Sequence, residues 1–254
     1  MSRSTPRPAE PTRIFVVGTD TAVGKTAVTS ALLCTARARG LLAIPFKPAQ
    51  SGPDRPSDIE RLLAAAGLSP TELPSACPLR FDPPLAPGLA EDPTPFLSPA
   101  SARSRAPHPG APLVGIARAL ERWEQRHRPS LVFVEGAGGL HVPMPGGTWQ
   151  PEWIVGLAPW TLVVGRTGLG TINHCLATIE GLRAIGRPPL GFVLSQTERE
   201  PDPSVARNAD VIACASDLPC LGTLAHGPEP ALVPEILDAL LQRLGRAHSS
   251  STGP

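Results

Sequence analysis

The chain has 254 residues, 41% of them apolar, and 23 basic residues stand against 22 acidic ones for a net charge of +1. That length suits one large α/β domain, with length alone also permitting two small ones. The charge balance leaves no basic stripe for nucleic acid and no polybasic run for a membrane surface, no apolar run approaches a membrane span, and the five cysteines lack the paired spacing of a disulfide framework or a structural zinc site.

Residues 1–12 are polar and proline-bearing, without the apolar stretch of a signal peptide, and predict a disordered arm ahead of a single domain over 13–247. The expectation is a soluble, cytoplasmic protein. A β-rich apolar run at 14–17 leads into a glycine-rich loop, and helical spacing follows over 26–39. A second strand is predicted at 41–46 and a helix at 58–66, whose Ser57-Asp58-Ile59-Glu60 start has capping-box spacing. Residues 69–112 carry twelve prolines and little periodicity. Long loops in compact domains are usually functional or disordered. The part over 81–95 is a candidate for touching substrate, and 98–112 is expected to run in solvent. Further helices are predicted at 113–126, 170–185, 203–215 and 231–244, and further strands at 131–134, 161–164, 190–194 and 220–224. Gly40, Gly67 and Gly186 stand where helix C-caps belong. Cys34, Cys175 and Cys214 lie in apolar helical patterns and read as small core residues. The tail over 248–254 reads as disordered. Strands that are apolar throughout, alternating with helices, predict a doubly wound α/β fold with a mainly parallel sheet covered by helices on both faces. Ligands of such sheets bind beyond the strand C-termini, so Gly18, Lys47, Glu135, Gly165 and Ser195 are expected along one edge.

Four clusters carry chemistry. Gly18-Thr19-Asp20-Thr21-Ala22-Val23-Gly24-Lys25-Thr26 sits between a strand and a helix, with one residue more between its glycines than the usual phosphate loop. Backbone N–H groups there point at an anion, Lys25 reaches the β/γ-phosphates, and the Thr26 hydroxyl suits Mg²⁺. Phe46-Lys47-Pro48-Ala49-Gln50-Ser51-Gly52 ends the second strand. Lys25 and Lys47 are the only lysines in the chain, against 21 arginines, and a compact ammonium is not interchangeable with a planar guanidinium. Lys47 has two candidate tasks: neutralising a phosphoryl group, or binding an amine or carbamate. Val134-Glu135-Gly136-Ala137-Gly138-Gly139 puts an acid at a strand end, where phosphate-loop enzymes hold their metal. Asp58 is a second carboxylate for that metal or an ordinary helix-start acid. Gly165-Arg166-Thr167-Gly168-Leu169-Gly170-Thr171-Ile172-Asn173-His174 forms another strand-to-helix junction and a second candidate anion site.

Together these clusters resemble the dethiobiotin synthetase family over roughly residues 13–225. The resemblance implies a phosphate-loop NTPase-like domain working as a homodimer. It implies an ATP- and Mg²⁺-dependent ligase that carboxylates 7,8-diaminononanoate with CO₂ and closes a cyclic urea, releasing ADP and phosphate. By match, Thr21, Ala22, Val23, Gly24, Lys25, Thr26 and Ala27 hold the nucleotide phosphates, with Gly136, Ala137 and Gly138 beside them and Ser195 and Gln196 at the base. Thr26, Asp58 and Glu135 surround the metal. Lys47 stabilises the carbamate and the phosphoryl group, Lys25 acts with it, and Thr21 and Ser51 help bind the diamine. The turn Gly170, Thr171, Ile172 and Asn173 meets the substrate carboxylate, in the family across the dimer interface. The chain departs from the family pattern at Ala22, where many members carry Glu, at Gly88, where a His is common, and at Ser195-Gln196, where an Asn-Asp pair often reads adenine. It also lacks the proline usual at Ala225. Other readings share parts of this pattern: a related phosphate-loop amide ligase, a phosphate-loop ATPase switch, and a non-catalytic nucleotide-binding partner.

Overall fold

A computed structural model of the protein describes residues 10–53, 56–97, 111–199, 205–227 and 231–251. Its strands are β1 (Thr12–Gly18), β2 (Ala43–Phe46), β3 (Ala49–Ser51), β4 (Leu79–Phe81), β5 (Leu131–Glu135), β6 (Pro143–Met144), β7 (Thr148–Trp149), β8 (Trp160–Arg166), β9 (Pro189–Ser195) and β10 (Cys220–Leu224). Its helices are α1 (Lys25–Ala38), α2 (Asp58–Ala66), α3 (Leu73–Ala76), α4 (Pro87–Glu91), α5 (Ala111–His127), α6 (Gln150–Leu157), α7 (Thr171–Ala184), α8 (Val205–Ser216) and α9 (Pro234–Ser251). Six strands form one sheet in the order β10-β9-β8-β1-β5-β2, and every neighbouring pair in it is parallel. Ile14, Phe15, Val16 and Val17 are all fully buried. Successive strand residues point to opposite faces, so both faces of the sheet are covered.

Local chemistry explains where the prolines sit. Pro45 lies in β2, an edge strand, where a missing N–H leaves no ladder bond broken. Pro189 is the first residue of β9, the other tolerated place. Trp123 of α5 donates its indole N–H to Pro45 O at 2.8 Å and is 1% exposed, which anchors the strand that delivers Lys47. The predicted start of α2 is realised: the Glu60 carboxylate accepts from the Ser57 N–H at 2.6 Å and from its hydroxyl at 2.7 Å. Gly67 ends that helix in the left-handed conformation, φ 73°.

Four expectations are corrected. Helix α5 starts at Ala111, inside the stretch expected in solvent, because Leu113 packs against the core; residues 98–110 lie outside the described residues. Helix α9 runs through Ser251, past the expected start of a tail at His248, while 252–254 and the arm over 1–9 lie outside the described residues. Cys175 is buried and Cys34 packs half-buried against the core, but Cys214 is exposed, since α8 turns its other face inward, with Ile212 at 0% exposure. The stretch over 69–97 is not structureless. It contains β4, α3, α4 and two 3₁₀ turns, and β4 pairs with β3 in a small parallel sheet of its own. Each of these elements is three to five residues long, too short for a periodic pattern to register.

Candidate active site

The C-terminal ends of β1, β2 and β5 converge because the three strands are neighbours in register, with Val16 opposite Glu135 and Phe46 opposite Val134. Lys47 follows β2 and is 3% exposed. Its Nζ lies 2.7 Å from Glu135 Oε1 and 3.0 Å from Asp58 Oδ2. Thr26 Oγ1 donates to the same Glu135 Oε1 at 2.9 Å. Lys25 Nζ donates to Gly138 O at 2.8 Å and to Asp20 O at 3.1 Å, which places both lysines of the chain on one cluster.

The electrostatics of the two lysines differ. Burial pushes the Lys25 ammonium down to about 8 against the upward pull of Glu135, and the nearby Lys47 adds to the depression. Burial also pushes Lys47 down, but Glu135 and Asp58 outweigh it and hold the ammonium above the ordinary lysine range. For Asp58, burial alone would raise the carboxyl, yet Lys47, with help from Thr26 and Lys25, holds it below its ordinary value.

The donor set suits a hard divalent cation. Glu135 is fully buried. Its Oε1 serves Lys47 and Thr26, while Oε2 is buried with no hydrogen-bond donor among the described residues. An orphaned buried carboxylate oxygen next to a threonine hydroxyl and a second carboxylate is a donor set for Mg²⁺. Among the described residues no group of three or more His, Cys, Asp or Glu side chains gathers into a metal cage. Mg²⁺ does not need one, since it is commonly bound through one or two carboxylates plus phosphate oxygens and water.

From this end a cavity of about 850 Å³ opens over α1. Its walls include Ala22, Gly24, Thr26 and Ala27, then Arg61 and Ala64 of α2, and on the other side Ser195, Gln196, Thr197, Ala225 and His226. Gly24 adopts φ 91°, and a Cβ there would collide with Ser195 Oγ; Ser195 is therefore the floor beneath the phosphate loop. Ala22 also holds a positive φ, 57°, an uncommon conformation for a residue with a Cβ. Gln196 is half-buried, with its N–H on Leu224 O at 2.9 Å and its side-chain Nε2 on Arg199 O at 3.3 Å.

Ser51 ends β3, opposite Phe81 of β4. Its hydroxyl donates to Leu85 O at 2.5 Å, so the proline-rich stretch is fastened beside it. Gln50 accepts from the Ile59 N–H at 3.2 Å and ties this small sheet to the start of α2. The junction at the start of α7 stands apart. Gly170 and Asn173 are exposed, Ile172 is half-buried, and Thr171 is buried against Cys175 at 3.6 Å. No hydrogen bond or ion pair given for the described residues joins this turn to Lys47 or Ser51. His174 is half-buried and donates its backbone N–H to Gly170 O at 3.2 Å. The sequence did not point to Gln150, which is fully buried against the turn after Glu135. A polar residue at the head of an apolar helix was its only mark.

Comparison with known proteins shows the family. A family model described as an AAA domain matches residues 12–231. A protein of Anaeromyxobacter sp. (strain Fw109-5), named ATP-dependent dethiobiotin synthetase BioD, is 43% identical over 84% of this chain and 89% of its own length. One of the same name from Anaeromyxobacter dehalogenans (strain 2CP-C) is 41% identical over 90% of this chain and 96% of its own. Among solved structures, chloroplast FtsY from Physcomitrella patens superposes with a TM-score of 0.53 at 16% identity, covering 91% of this chain and 65% of that one. That likeness speaks for the fold alone. The strand–loop–helix with Lys25, the carboxylates around Lys47 and the extent of these relatives converge: the chain belongs to the dethiobiotin synthetase family.

Proposed function

We propose that this site joins 7,8-diaminononanoate and CO₂ at the expense of ATP, with Lys25, Thr26, Lys47, Asp58 and Glu135 as its working residues. The chain is an ATP-dependent ligase of biotin biosynthesis. In the proposed course one amine of the diamine attacks CO₂, forming an N–C bond and releasing a proton, which leaves a carbamate. A carbamate oxygen attacks the γ-phosphorus and ADP departs. The second amine attacks the carbonyl carbon, phosphate leaves, and the urea ring closes with loss of a proton.

The single observation that carries this assignment is Lys47 held at 2.7 and 3.0 Å between two carboxylates. Such an ammonium stays charged and fixed in place, so it can face a carbamate and then a phosphoryl group with little reorganisation. Lys25 lies on the other side of the Glu135 turn, and its ammonium neutralises phosphate charge. Phosphoryl transfer depends on such positioning more than on covalent catalysis by the protein. Thr26, Asp58 and Glu135 would hold Mg²⁺, which, when bound, supplies charge neutralisation at the phosphates. Ser51, at the end of β3, and Thr21 of the phosphate loop would help bind the diamine.

Leu169 is 75% exposed at the tip of the 168–173 turn. This supports a homodimer in which Gly170, Thr171, Ile172 and Asn173 meet the substrate carboxylate in the partner's site. No helix among the described residues is long and apolar enough to cross a membrane, which fits the proposed cytoplasmic location. The test is mass spectrometry of the product from ATP, Mg²⁺, bicarbonate and the diamine. A cyclic urea that vanishes when either bicarbonate or diamine is left out is the expected result. ATP turnover indifferent to the diamine, with no urea formed, would remove the ligase assignment.

A further inference from the structure

Gln150 opens α6 and is fully buried, so it touches neither solvent nor a ligand in the cavity. Its Oε1 accepts from the Ala137 N–H at 2.8 Å, and its Nε2 donates to Gly139 O at 2.5 Å. Its own N–H donates to Val142 O at 2.9 Å. One side-chain amide thus grips both limbs of the turn that leaves β5 with Glu135. A Cβ added to Gly136 would come within 2.7 Å of Gln150 Oε1, so the glycine there is what lets the amide approach.

The other side of the same turn rests on the phosphate loop. Gly138 O is the acceptor for Lys25. A Cβ on Gly138 would lie 3.3 Å from Thr21 Oγ1, and one on Gly139 3.2 Å from Thr19 O. A shift of the turn would therefore move Glu135 relative to Thr26 and loosen the seat of Lys25 together. A glutamine is suited to this grip because its amide offers a donor and an acceptor side by side, matching one backbone N–H and one carbonyl two residues apart.

We propose that Gln150 is a positioning residue for MgATP, its amide fixing the 136–139 turn so that the Glu135 carboxylate stays beside Thr26 with Oε2 left free for the metal. The inference rests on the Mg²⁺ assignment above. Outer partners that orient metal ligands typically change metal affinity by about 10- to 100-fold when removed.

The experiment measures ATP affinity by calorimetry in Mg²⁺ and in EDTA, for the wild-type chain, Gln150→Met and Gln150→Asn, with a thermal melt of each. The gain in affinity on adding Mg²⁺ is expected to shrink by about tenfold in Gln150→Met. In Gln150→Asn, whose shorter amide reaches only one of the two partners, part of the gain is retained. If Gln150→Met does not fold, Gln150→Asn alone decides. A Mg²⁺ gain equal to wild type in the folded variants, whatever their melting temperature, would make Gln150 an ordinary core amide and overturn the proposal. A wild-type chain whose ATP affinity ignores Mg²⁺ would instead sink the metal assignment, and this proposal with it.

Discussion

At the ends of β2 and β5 Lys47 is 3% exposed and wedged between Glu135 and Asp58, whereas on the far wall of the cavity over α1 Ala225 and His226 are exposed and Gln196 donates to Arg199 O. The first end is a closed set of charges in which every member alters its neighbours. The second is an open wall of single polar side chains, among them Gln196, Thr197 and His226. Under the proposed function, the contrast sets two kinds of recognition on one ligand. Buried charge would fix the reacting phosphates, because a wrong arrangement there is expensive. A base in a solvent-washed groove is read only as well as its unmatched polar groups demand.

The largest effect expected from breaking this contrast is at Lys47. Removing a stabilising charge at a reacting phosphate typically costs about 100- to 1000-fold in rate, so Lys47→Ala should lose that much turnover. The substitution also removes the ammonium that balances the fully buried Glu135, and breaking a buried pair costs about 3–5 kcal/mol. Thermal melts should therefore fall in Lys47→Ala and recover in the double variant with Glu135→Gln, while kcat stays low in both. Full activity in the folded single variant would take Lys47 out of the mechanism.

Lys25 sharpens the comparison through pH. Its ammonium titrates at about 8 in the folded chain against 10.5 for an ordinary lysine. Below 8 it is charged in both folded and unfolded chains. Between 8 and 10.5 the unfolded chain binds more protons, so this group makes nucleotide-free stability rise with pH across that window. ATP affinity should move the opposite way. The phosphates favour the charged form, so affinity should be level below pH 8 and fall above it, by at most about tenfold per unit. Calorimetry in buffers of different ionisation enthalpy should register proton uptake on ATP binding at pH 8.5 and little at pH 7. Equal proton uptake at both would show that Lys25 does not titrate there.

The smallest effect belongs to the open end. With Gln196 Nε2 donating to Arg199 O, its carbonyl is the part left to accept an amino group. CTP and GTP should support synthesis within roughly tenfold of ATP in kcat/KM, a gap of about 1.4 kcal/mol or less. An ATP preference of several hundredfold would mean that another residue of the wall reads adenine.

The order of strands and long helices, the glycine-rich turn ahead of α1 and the candidacy of Lys25, Lys47 and Glu135 were legible in the chain because each rests on local pattern. Val- and Ile-rich runs, a glycine turn before a helix and two solitary lysines need no knowledge of distant neighbours. Even the Asp58 helix start was written locally, in Ser57 and Glu60. What the chain could not disclose was pairing. Lys47 and Glu135 are 88 residues apart, and only the parallel register of β2 and β5 sets them 2.7 Å apart, turning two separate candidates into one charge-locked group. The same holds for Gln150, whose meaning comes from a turn 11 to 13 residues earlier that folds back over it, and for Ser195, whose place under Gly24 and in the cavity wall comes from β9 lying beside β8. Hydrophobic period and turn chemistry act over a few residues, so they determine elements. The partner of a buried polar group is decided by which elements pack together, and that is a property of the tertiary structure alone.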